Sequence, residues 1–247
     1  MMVQLGWHWI FEAWEIEPVA LDDKRRLAAL LNDLPATLSL TVVSEARFVD
    51  VGTAPRSTTG AVLLGESHFC LQSFPDLGVL RGDLFSCKEF EVATARACVA
   101  EHFANGGYAE NFLSRGALAG EMIGARTPPR PSVGPAWAYL AMEVKAKDDC
   151  LLAPERLQRV ADRLADDLGV ELADRCCHRF VPVGFSLLCR GQPGHLAIHT
   201  WPEQRRATVD VSLLLPTLEE RRPALEDALA SEGLEVVGAW LNQEAGC

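Results

Sequence analysis

Ser67 stands between Glu66 and His68, so one hydroxyl has a carboxylate on one side and an imidazole on the other. A serine hydroxyl is a weak nucleophile at its free pKa and reacts only with a base and a polarised carbonyl beside it. Imidazole, with an unperturbed pKa of about 6.5, is the side chain suited to moving protons at neutral pH. The triplet alone is more often an ordinary strand-end hydroxyl than a reactive one. Its context gives it weight: Leu64-Gly65-Glu66-Ser67-His68 is followed by Cys87. Further on, His178-Arg179-Phe180-Val181-Pro182-Val183-Gly184-Phe185-Ser186 leads to Ile198-His199-Thr200-Trp201-Pro202-Glu203. The eight cysteines include adjacent Cys176 and Cys177 but no C-x-x-C spacing, so most read as buried thiols. His68 and His195 read as strand histidines, and no metal site is expected.

These groups need a scaffold, and the chain is long enough for one. Its 247 residues, 49% of them hydrophobic, can bury one sizeable core or two smaller ones. A net charge of −11 sets the chain against nucleic acid, whose phosphates need clustered Lys and Arg, and favours a cationic small molecule. No apolar run approaches the roughly 20 residues of a membrane span. The stretch from Met1 to Trp14 lacks the basic region and cleavage site of a signal peptide, so the cytoplasm is the expected location.

The chain also repeats itself. Arg47-Phe48-Val49 recurs as Arg179-Phe180-Val181, and Ser67 to Asp76 lies over Gly194 to Glu203. Apolar opening strands are expected at Trp7–Trp14 and Trp137–Val144. An amphipathic helix should follow in each half, with Leu27, Leu30, Leu31 and Leu34 forming the apolar face of the first and Leu157, Val160, Ala161, Leu164 and Leu168 that of the second. Second helices are expected near Glu89–Ala104 and Leu218–Ser231. Each half then reads as β-α-β-β-α-β, an α+β unit whose helices lie on one face of its sheet. Two such sheets covering each other would give a four-layer αββα sandwich. The halves are drawn as 1–125 and 135–247, joined by a proline-rich linker at 126–134.

The strings around Glu66-Ser67-His68, Ser186 and His199 resemble the S-adenosylmethionine decarboxylase family, over most of both halves. The resemblance implies a fused, duplicated member with one working site. The first half keeps Glu66, Ser67 and Cys87 but has Gln72 at the family's processing-histidine position. The second keeps Ser186, His199 and Glu203 but has Gly194 and Leu214 at the serine and cysteine positions.

By that resemblance Ser67 becomes a covalently attached pyruvoyl group, through attack on the Glu66 carbonyl. Chain 1–66 separates from chain 67–247. Ser186 would bond the oxyanion and His199 would remove the α-proton of residue 67. In turnover the ketone would form a Schiff base with the substrate amine, and Cys87 would return the proton. Phe180 would stack on adenine with Leu5 or Trp7, Glu203 would bond ribose, and Glu66 would neutralise the sulfonium or amine. The implied substrate is S-adenosylmethionine, feeding spermidine synthesis. Ornithine or arginine on the same scaffold is the alternative, and a non-catalytic activating partner is a third reading. The fused chain is expected as a monomer or homodimer, without nucleic-acid or membrane partners.

Overall fold

Apolar residues at every second position from Trp7 to Ala13 call for a strand buried on one face. In the computed structural model they form one, and two compact units follow from such strands. The structure describes residues 4–65, 67–116, 120–123, 137–147, 153–191, 193–215 and 217–243. The 126–134 linker and Glu66 therefore lie outside the described residues.

The first unit contains β1 (Gly6–Trp14), α1 (Pro18–Leu21), α2 (Lys24–Thr37), β2 (Arg47–Val51), β3 (Ser57–Leu64), β4 (Ser67–Phe74), β5 (Val79–Ser86), α3 (Val92–His102) and β6 (Gly107–Arg115). Its six strands run in the order β2-β3-β4-β5-β1-β6, with every neighbouring pair antiparallel. Asp23 starts α2 by accepting the Arg25 N–H at 2.9 Å. Trp9, Phe11, Phe69, Leu71, Leu80 and Leu84 then pack with Leu27, Leu30, Leu31 and Leu34 of α2 and with Ala95 and Val99 of α3. Side chains of that size stabilise by about 1.5–3 kcal/mol each when fully buried.

The second unit contains β7 (Gly120–Ile123), β8 (Ala138–Ala146), α4 (Pro154–Leu168), β9 (Leu172–Arg179), β10 (Phe185–Gly191), β11 (Gly194–Trp201), β12 (Arg206–Leu213), α5 (Leu218–Ser231) and β13 (Leu234–Gln243). The sheet order is β7-β13-β8-β12-β11-β10-β9. Helix α4 begins on Pro154 and stops at Gly169, whose φ of 68° a glycine adopts without strain. Its five expected core residues, Leu157, Val160, Ala161, Leu164 and Leu168, all join the apolar cluster.

Both units are α+β, each with its helices packed on one face of its own sheet. Three details differ from the sequence reading. Four strands, not the two of β-α-β-β-α-β, separate the helices in each unit, because the turns at Pro55 and at Pro75 to Gly78 divide the first tract. Gly120–Ile123, placed by sequence in the first half, pairs in parallel with β13 of the second sheet. The Arg-Phe-Val overlay is also shifted by three residues. Thr59 pairs with Val49 and its counterpart Ser186 pairs with His178, so ladder register sets His178, and not Val181, over Val49.

From β3 to the end of β5 the match with the second unit is strict. Ser67 lies over Gly194 and Ser86 over Leu213, a constant 127 positions apart. A proline-led turn sits at the same place in both, closed by Gly78 (φ 63°) in one and Arg205 (φ 53°) in the other.

Candidate active site

Opposite the apolar core, each sheet carries buried polar residues. In the first these include His8, Glu12, His68, Gln72, Arg81 and Asp83. Buried polar groups are costly unless bonded, and His8 and His68 share Asp83 while Arg81 pairs with Glu12. Arg81 Nε donates to Glu12 at 2.5 Å. His68 Nε2 lies 2.8 Å and His8 Nε2 3.2 Å from the same oxygen of Asp83.

Ser67 opens β4 opposite Leu64 on β3 and Ser86 on β5. It is buried, at 2% exposure, and two residues separate it from the end of β3. Its φ is 155°, where residues with a side chain are uncommon. Such a backbone holds strain of about 1–3 kcal/mol. Gly194, its counterpart, has φ 137°, and a Cβ there would come within 2.0 Å of the Ser212 carbonyl oxygen. A serine fits the first sheet and is sterically excluded from the second.

The second sheet holds what the first lacks. Ser186 Oγ is 2.6 Å from His199 Nδ1, both buried, because β10 and β11 set the two residues directly opposite. The same register in the first sheet pairs Thr59 with Gln72, which provides a hydroxyl and an amide but no base. Thr59 escaped the sequence reading; the constant offset between halves is the signal that finds it.

Glu203 lies in the turn after β11, exposed, and its carboxylate has no hydrogen-bond or ion-pair partner among the described residues. Its counterpart Asp76 is taken: it accepts the Arg56 backbone N–H at 2.8 Å and Nε at 2.9 Å. Those bonds hold the Asp76 carboxyl below its usual range. Phe180 is half-buried just beyond β9, with its ring 4.8 Å from that of His178. It is not a core aromatic.

Other expected residues land less simply. Cys87 follows the last residue of β5 and is exposed, one position past the Ser86 that pairs with Ser67. Leu5 is buried ahead of β1, and its N–H donates to Arg115 O at 2.8 Å. Trp7 packs against the helix-facing core of the first unit, which takes up much of its apolar surface. Of the six described cysteines only Cys70, Cys98 and Cys189 are buried, so the expectation of mostly buried thiols is half met. Burial pushes Cys189 up to about 12, which makes it inert at neutral pH.

The sequence pattern of the S-adenosylmethionine decarboxylase family matches residues 7–116 and 140–232. A protein of Methanococcus maripaludis strain C7 named S-adenosylmethionine decarboxylase proenzyme is 36% identical over 90 residues. That stretch is 36% of this chain but 70% of the relative, so the relative is about half as long. A protein of the same name from Carboxydothermus hydrogenoformans is 40% identical over 63 residues, 26% of this chain and 50% of its own length. The crystal structure of the adenosylmethionine decarboxylase of Aquifex aeolicus aligns with TM-score 0.41 at 21% identity, covering 47% of this chain and 93% of that one.

Proposed function

Since the chain belongs to the S-adenosylmethionine decarboxylase family, we propose that it is a carboxy-lyase acting on S-adenosylmethionine through a pyruvoyl group made from its own Ser67. The product would be the aminopropyl donor of spermidine synthesis. Relatives named as proenzymes support the self-made cofactor, and the ornithine and arginine alternatives find no support among them. The reading rests chiefly on an exchange of residues at matched register. Ser67 stands where the second sheet has room only for Gly194, and the Ser186–His199 pair stands where the first sheet has Thr59 and Gln72.

The chain's own residues account for the processing chemistry. Ser67 Oγ attacks the Glu66 carbonyl, the peptide C–N bond breaks, and an ester is left with a free amine on residue 67. Backbone strain at Ser67 raises the energy of the peptide form and so favours the shift. If His199 donates its Nδ1–H to Ser186 Oγ, two things follow from the 2.6 Å bond. The Ser186 hydroxyl hydrogen is left to bond the oxyanion, and Nε2 keeps a lone pair for the α-proton of residue 67. Removing that proton expels the Glu66 carboxylate and leaves dehydroalanine, which loses ammonia on hydrolysis.

The resulting ketone supplies an electron sink for the pair left by departing carbon dioxide. Around it, Cys87 Sγ holds the proton that replaces the carboxyl group. Glu203, with both oxygens uncommitted, suits a vicinal diol, and Phe180 offers a ring face to adenine.

The test is intact mass combined with release of labelled carbon dioxide. Wild type should give a fragment ending at Glu66 and a larger one blocked to Edman degradation, and Ser67→Ala should stay whole. S-adenosylmethionine should release label, and ornithine and arginine should not. A permanently whole yet active wild type would overturn the cofactor; turnover of ornithine or arginine alone would overturn the substrate.

A further inference from the structure

Cleavage before Ser67, on which this inference rests, converts the first residue of β4 from part of a hairpin into a chain terminus. Free termini fray, and each residue of strand lost moves the end by about 3.3 Å. A displacement of about 1 Å at a reacting group can already cost a hundredfold in rate. The cut end must therefore be held by something other than the hairpin.

The next residue along is His68, fully buried. Its Nε2 is bonded at 2.8 Å to Asp83 Oδ2 on β5. That oxygen also faces His8 Nε2 on β1 at 3.2 Å, and Arg115 Nη1 on β6 lies 2.9 Å from His8 Nδ1. Arginine can only donate, so His8 Nδ1 accepts and its Nε2–H points at Asp83. His8 is thus neutral, and it links the buried Arg115 cation to the buried Asp83 anion. Four adjacent strands are tied in one line that ends beside residue 67. In the second sheet Tyr139 takes the place of His8.

We infer that His68, held by Asp83, His8 and Arg115, is a positioning residue that keeps the newly made chain terminus in register after cleavage. On the other side of the cut, the Gly65 N–H is bonded to Thr41 O at 2.7 Å, so the departing strand end has its own anchor.

Hydrogen exchange at the β4 amides 69–71 tests this, in the cut wild type and in the uncut Ser67→Ala chain. The two should be equally protected. His68→Leu should speed exchange at least tenfold in the cut chain and leave it near wild type when combined with Ser67→Ala. His68→Asn, which keeps a donor for Asp83, should restore most of the protection. If His68→Leu does not self-cleave, His8→Phe removes the next tie while leaving His68 in place, and should loosen the cut chain alone. Equal exchange in cut and uncut forms of these variants overturns the inference while the cofactor reading stands. A wild type never cut at 66/67 overturns both.

Discussion

Position 199 is histidine, and position 72, at the same place in the other sheet, is glutamine. An amide cannot take a proton from carbon, so only one of the two can serve as the base. His199→Ala should halt processing at or before the ester, and Gln72→Ala should process at the wild-type rate; timed gels read both. Ser186→Ala removes the proposed oxyanion donor and should slow cleavage by about 10²–10³. Equal damage at 72 and 199 would mean that the halves have been assigned the wrong roles. The residue exchange was legible from the sequence because the motif is contiguous and survives in both halves. Thr59, Asp83, His8 and Arg115 were not, because their partners lie across strands and far along the chain. Gly194 states the same asymmetry sterically. Gly194→Ala should cost at least about 2 kcal/mol, since its φ of 137° and the 2.0 Å approach to Ser212 O both resist a side chain. Urea unfolding would show it.

Turns rather than strands distinguish the halves at the next scale. Both units close β4–β5 and β11–β12 with a proline-led turn bearing an acidic second residue. Asp76 is bound by Arg56 and joins that turn to the start of β3. Glu203 in the matching turn has no partner among the described residues, which the proposed diol-binding role requires. Glu203→Gln and Phe180→Ala should each lower kcat/KM by about one to two decades, mainly through KM, with self-cleavage intact. Asp76→Asn should leave the kinetics unchanged. Loss of activity at Asp76 and none at Glu203 would put the substrate in the other half. Helix and strand positions were readable from apolar periodicity, and α5 matches its expected span, Leu218–Ser231. Ladder register was not readable. The Arg-Phe-Val repeat looks like an anchor in the text of the chain, yet hydrogen bonding sets His178, three residues before Val181, over Val49. A three-letter match carries less information than an eight-strand-residue match with fixed turns on both sides.

At the scale of the molecule, the duplication changes what one chain must do for itself. This chain carries two units of matching strand order whose residues differ in complementary ways. Each unit has its own apolar core and its own helices, so a fault in one unit's chemistry need not unfold the other. That makes a mixing experiment informative. Ser67→Ala lacks the proposed cleavage residue, and His199→Ala lacks the proposed base. If one chain completes its own site, as two diverged units in a single polypeptide imply, the mixed variants should remain uncut. Wild-type cleavage should then be first order and unchanged by dilution over two decades. Co-expression of the two variants removes the objection that assembly precedes mixing, and the same absence of fragments is expected. Appearance of the 67–247 fragment from the His199→Ala chain in that mixture would mean that a second copy supplies the base, and the fused chain would then work as a dimer with shared chemistry.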